Sequence, residues 1–211
     1  MVFIDYVALL LINMTGGLFV LAHFMVKGLG APDRRPWAPA LAIPGVVALV
    51  SGLHMTWTWP LPGAYNSAFG EMSVLLGILF LCAALSAGKN WSLAPVGIYA
   101  VFGGIAGIIL GVRFIDLGMT QTPLLSGIGF ILTGSCGVLI CPAFHWRANR
   151  TLRTFVAVVL VLAALIWAFT GYKAYWNHME RFSAWRPRVM QAPAPPEDRP
   201  VTSSNVGRGT P

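Results

Sequence analysis

The chain reads as an all-α integral membrane protein, a helical bundle of about six transmembrane spans. Two observations predict this. Its 211 residues are 56% hydrophobic and only 10% charged, with a mean hydropathy of +0.71. A soluble domain of this size carries roughly a quarter charged residues, so water could not cover the outer faces of this many apolar segments. The apolar residues also fall into six long runs, each able to cross a hydrocarbon core of roughly 30 Å.

The first run extends from about Tyr6 to Val26, bracketed by Asp5 and Lys27. Those brackets stand about 33 Å apart on a helix. The N-terminus has no basic region, and its apolar stretch is too long for a signal sequence, so it is expected to be a retained span. A polar turn with Asp33, Arg34 and Arg35 follows. The second span runs from about Trp37 to Trp59, stopped by Pro60 and Pro62.

The connector from Leu61 to Gly70 is rich in Gly, Pro, Asn and Ser and holds no Lys or Arg. Span three is expected from near Glu71 to Ala87. Span four starts after Ser92, a natural N-cap, with Pro95 in its first turn, and reaches about Arg113. Thr122 and Pro123 open span five, which is expected to end near Pro142. A basic turn with His145, Arg147, Arg150 and Arg153 leads to span six, about Phe155 to Trp176. Residues 1–176 thus form the bundle. Residues 177–211 make a basic, Pro-rich tail, predicted to be disordered.

Orientation follows the basic loops. With the N-terminus outside, the inner loops hold Lys27, Arg34, Arg35, Lys89, Arg147, Arg150 and Arg153, against Arg113 alone in the two outer loops. Lys173, Arg181, Arg186 and Arg188 run against this rule, but the first helices usually dominate. The expected topology is N-out and C-out, as a multi-pass protein of the cell membrane. The net charge of +7 sits mainly at the ends of apolar runs, where it meets lipid headgroups. Without basic–aromatic interleaving, nucleic acid is not an expected partner.

Packing signals are strong in span four. Gly103, Gly107 and Gly111 make two small-xxx-small steps on one face, which lets another helix approach closely. That partner is expected to be a neighbour within the bundle, with a homodimer or larger membrane complex as the alternative. Gly127, Gly129, Gly134 and Gly137 make span five similarly smooth. Spans two–three and four–five form similar hairpins, with Gly52-Leu-His54 and Gly111-Val-Arg113 at comparable heights, a weak sign of an internal repeat. Cys82, Cys136 and Cys141 lie inside apolar runs and read as packing residues.

Ionisable residues inside a membrane bundle are functional candidates by default. Asp5, His54, Glu71, Arg113 and Asp116 come from four helices at one depth. Around His54 the string from Gly52 to Asn66 is dense in amphipathic side chains, including Trp57, Trp59 and Tyr65. The substrate- or proton-binding candidates are therefore His54, Trp57, Tyr65, Asn66, Glu71, Arg113 and Asp116. Each has a structural reading too: Asp5 and Glu71 as helix N-terminal acids, Arg113 and Asp116 as an i,i+3 pair, and the aromatics as an interfacial belt. No cofactor is predicted. A metal ion held by His54, Glu71 and Asp116 is the alternative, while haem between His23 and His54 is disfavoured by their opposite depths.

The stretch Gly52-Leu-His54-Met55 through Trp59-Pro60-Leu-Pro62-Gly63, then Tyr65-Asn66 and Phe69-Gly70-Glu71, resembles the signature of a prokaryotic membrane family. So does Gly111-Val-Arg113-Phe-Ile-Asp116-Leu-Gly118, followed by Pro123-Leu-Leu-Ser126-Gly127. The family is domain-of-unknown-function family 981, and the resemblance covers about Asp5 to Pro142. It implies a multi-span membrane protein and no established activity. No nucleotide-binding loop, HExxH pattern, nucleophile elbow or paired CxxC occurs, which points away from an enzyme of soluble type. The expected function is a small permease, hence a transporter, or an accessory subunit of a membrane complex, with an outward-facing polar cluster. A membrane-embedded metal-binding or redox protein is the alternative.

Overall fold

A computed structural model describes residues 5–183 and 185. Six helices are long and apolar enough to cross a membrane: α1 (Tyr6–Gly28), α2 (Arg35–Thr58), α3 (Ala64–Gly88), α4 (Ala94–Asp116), α5 (Pro123–His145) and α6 (Arg150–Phe182). No strand occurs among the described residues. Each helix packs on its neighbours in the chain, and α6 returns to pack along α1, so the bundle closes into a ring. The thinnest of the six contacts is between α3 and α4.

Small residues set the ring's closest approaches. On α4, a Cβ at Gly104 would stand 2.5 Å from the Gly134 carbonyl oxygen, and one at Gly111 would stand 2.6 Å from that of Gly127. Gly107 faces Gly134, with Cα at 3.3 Å from its Cβ position. Gly107 and Gly111 are therefore used within the chain, against α5. Gly103 is half-buried and meets only Leu79 of α3, at 3.7 Å. The α2–α3 hairpin uses the same device, because a Cβ at Gly52 would lie 2.7 Å from the backbone nitrogen of Val74.

Polar groups tie the apolar interior where lipid offers no partners. Asn13 on α1 donates from Nδ2 to the carbonyl of Pro44 at 3.0 Å, joining α1 to α2 at the proline that lies past the first turn of that helix. Thr133 on α5 donates back to the Gly129 carbonyl at 2.8 Å and accepts from Trp167 Nε1 on α6 at 2.9 Å.

Several boundaries depart from the sequence reading. Span three was expected to start near Glu71, yet α3 begins at Ala64, with a π-helical turn over Ser67–Glu71. Gly63, at φ 40°, turns the chain, and Asn66 becomes a buried helical residue donating to the Met55 carbonyl at 3.0 Å. Pro142 lies inside α5, which continues to His145. Ser92 accepts from the Ala94 N–H at 3.3 Å, although Leu93 is the residue that precedes the helix. The largest difference is in α6. Instead of ending near Trp176 it runs 33 residues to Phe182, about 50 Å. The rest of the predicted tail, residue 184 and residues 186–211, lies outside the described residues.

Candidate functional site

Both ends of the described chain meet at one end of the bundle. Asp5 begins α1 and accepts from the Ala8 N–H at 3.4 Å, while its second carboxylate oxygen lies 2.5 Å from His178 Nδ1 on the extension of α6. The next residue, Tyr6, faces the other neighbour, with its hydroxyl 2.6 Å from His54 Nδ1 on α2 and the two rings stacked at 5.5 Å. Consecutive residues at the start of α1 thus latch it to α2 on one side and α6 on the other.

The candidates from the sequence share this end but do not form one cluster. His54 is exposed and engages Tyr6. Glu71, also exposed, accepts from the Ser67 hydroxyl at 3.0 Å. Arg113 donates to Asp116 across one helical turn, and both are exposed. Trp57 is 77% exposed, as a belt residue is. Among the described residues, no group of three His, Cys, Asp or Glu is placed to hold a metal ion. His23 and His145 each pack on a tryptophan, at 5.0 Å from Trp37 and 5.8 Å from Trp146.

Tyr65 and Asn66 each bond to a backbone group of another segment. The Tyr65 hydroxyl accepts from the backbone N–H of Thr120 at 3.0 Å, holding the α4–α5 loop, where Thr120 has φ 73°. The Thr120 and Ser126 hydroxyls lie 3.0 Å apart. That loop forms one wall of a vestibule of about 210 Å³. The α6 extension forms the opposite wall with Lys173, Asn177, His178 and Arg181. Among the described residues no carboxylate lines it, and Asp5, the acid behind His178, is engaged by that histidine. The vestibule therefore presents hydroxyls, amides and cations, a set suited to an anion.

Its floor is apolar. Leu11, Phe69 and Trp167 line the base. Phe69, Phe114, Phe130 and Trp167 form a continuous aromatic layer, with centroids 6.0 Å apart for Phe69–Phe114, 4.9 Å for Phe114–Phe130 and 5.2 Å for Phe130–Trp167. Beyond that layer two apolar cavities, of about 80 and 70 Å³, share walls formed by Leu76 and Leu79 of α3, Ala100 of α4 and Thr133 of α5.

The comparison with protein families places this architecture. The family model described as "Protein of unknown function (DUF981)" matches residues 1–181. The chain belongs to this family. The match takes in α6 and nearly all of its extension, beyond the Asp5-to-Pro142 stretch that carries the motifs. Lys173, His178 and Arg181 thus lie inside the family region, although sequence reasoning passed over them as sites. No curated protein and no solved structure matches the chain. The signal that could have found His178 is parity: an even number of spans returns the C-terminal end to the side of Asp5. No Gly past Gly171, and no Pro before Pro187, interrupts the last helix.

Proposed function

We propose that this polytopic membrane protein is a small permease-type carrier for an anionic amphiphile, taken up at the Asp5 end. One observation carries the reading: a vestibule lined by Lys173, His178 and Arg181, with no carboxylate among the described residues that line it, resting on the Trp167–Phe69 floor. Cationic walls attract the head of such a molecule. The aromatic floor and the apolar cavities beyond it suit its chain. Tyr65 positions Thr120, and the Asp5–His178 contact holds α6 in place.

In this reading the Asp5 end faces outward. Support comes from the opposite end, where the loops and helix ends carry Lys27, Arg34, Arg35, Lys89, Arg147, Arg150 and Arg153. His54, Glu71, Arg113 and Asp116 ring the same end and condition its field rather than contact the solute.

The test is binding of dodecyl chains that differ only in their heads. Dodecyl phosphate is expected to raise the melting temperature of the purified full chain above that in dodecyl maltoside. The Lys173→Gln/Arg181→Gln double variant is expected to lose most of that gain. Equal stabilisation of wild type and double variant would overturn the assignment. Uptake of a labelled alkyl phosphate into proteoliposomes then separates a carrier from a static binding protein.

A further inference from the structure

The end of the bundle opposite the vestibule holds a second, independent set of cations. Arg34, in the short α1–α2 connector, is only 4% exposed. Its guanidinium donates to the Trp91 carbonyl at 2.8 Å, and its backbone N–H to the Asn90 side chain at 2.9 Å. These bonds pin the α1–α2 connector to the α3–α4 connector. None of the ion pairs among the described residues involves Arg34, Arg147 or Arg153. The one carboxylate on these connectors, Asp33, is taken by Arg35 at 2.9 Å and Asn90 at 3.2 Å.

Arg34 and Arg147 both line a cavity of about 380 Å³, between the Leu29–Pro32 backbone and Asn90. Burial, and then the charge of Arg147, depress the pKa of Arg34. Arg153 packs its guanidinium against Gly30 of the same wall, where a Cβ would force that guanidinium aside. Its Nε is buried without a hydrogen-bond partner. Three arginines thus gather around one loop, one almost wholly buried and another with an unsatisfied donor. Like charges held this way in a partly dry site are costly unless an anion neutralises them.

We propose that this cavity is a binding site for a phosphate group, gripped by Arg34 and Arg147, with Arg153 bracing the loop that forms its wall. Arginine suits that role because its planar fork matches phosphate oxygens with paired donors. Arg34 is anchored on one side by Trp91, which leaves its remaining N–H groups for the ligand. The phosphate belongs either to an anionic lipid headgroup at the membrane surface or to a small water-soluble phosphate compound. The chemistry is common to both, and the site lies where both can reach it. The proposal does not depend on the vestibule, which is at the other end of the bundle.

The experiment uses the full chain in nanodiscs. One arm compares phosphatidylcholine discs with discs containing phosphatidic acid. The other keeps phosphatidylcholine and adds glycerol 3-phosphate, with inorganic phosphate as a further probe. Arg147→Gln is the main variant, since Arg147 is exposed and its loss spares the Arg34 anchor. Arg150→Gln, also exposed but outside the cavity lining, is the control. We expect saturable binding in at least one arm, weakened about tenfold by Arg147→Gln and unchanged by Arg150→Gln. Binding in the first arm alone identifies a lipid headgroup, and binding in the second identifies a soluble phosphate. Arg34→Lys, which keeps the charge but not the fork, is expected to weaken binding as well. Absence of binding in both arms, or equal loss in the Arg147 and Arg150 variants, overturns the proposal.

Discussion

Replacing Gly104 by alanine should separate two helices whose backbones are in contact. The added Cβ would stand 2.5 Å from the Gly134 oxygen and 2.8 Å from the Val138 nitrogen, both backbone atoms of α5. Neither can swing aside, so α4 must retreat by roughly 0.5–1 Å, which on a dispersion potential forfeits a quarter to a half of each contact along the seam. Overpacking of this kind costs about 1–3 kcal/mol, against a gain of about 0.5–1 kcal/mol from replacing a helical glycine. The net expectation is a loss of up to about 2.5 kcal/mol. Gly16→Ala adds the same methyl where nothing lies within 4 Å and should be neutral or slightly stabilising. Gly103→Ala, meeting only Leu79, should resemble Gly16→Ala. The assay is denaturation of the purified protein in mild detergent, followed by tryptophan fluorescence. Equal stabilities for the Gly104 and Gly16 variants would refute the packing argument. A shift to smaller assemblies in Gly103→Ala alone would restore the reading of that face as a dimer seam.

Trp167→Phe keeps the ring in the aromatic layer but removes the donor to Thr133, so it should cost about 0.5–1.5 kcal/mol. A thermal melt beside Trp167→Ala, for which about 3–5 kcal/mol is expected, checks this. His178→Ala should destabilise by about 1 kcal/mol by leaving Asp5 without its partner. In a double-mutant cycle Asp5→Asn should add little once His178 is gone, and full additivity would show that the latch carries no coupling. Asp33 is held down at about 2, chiefly by the Arg35 side chain and backbone and then by Asn90. A depressed carboxylate pKa stabilises the fold above the unfolded value, here 3.8, and that stabilisation is lost as pH falls from there toward 2. Arg35→Gln should therefore move the Asp33 titration upward, read by carboxyl-carbon NMR after selective aspartate labelling. An unmoved titration would place the cause elsewhere.

The amino-acid sequence by itself determined the class, the six spans and the residue types available at each end. In a bilayer every backbone polar group must be satisfied by the protein, and a helix does so within its own segment, so long runs of apolar residues translate almost directly into helices. Small-residue spacing likewise announced close packing on α4, because a missing Cβ is a local property. What the sequence could not supply was direction around the ring. Gly107 and Gly111 pointed first to a neighbour within the bundle and second to another copy, and only the position of α5 shows which helix meets them. His54, Glu71 and Asp116 share a depth, which spacing shows, but depth is one coordinate, and the other is set by how six helices close. The same gap hid His178 and the arginine cavity. Asp5 and His178 are 173 residues apart, and Arg34 reaches Arg147 only because loops from three hairpins meet. Polar residues past a span carry no hydrophobic pattern, so the only local hint that the helix continues is the lack of Gly or Pro between Gly171 and Pro187. That choice was made by long-range contact with α1.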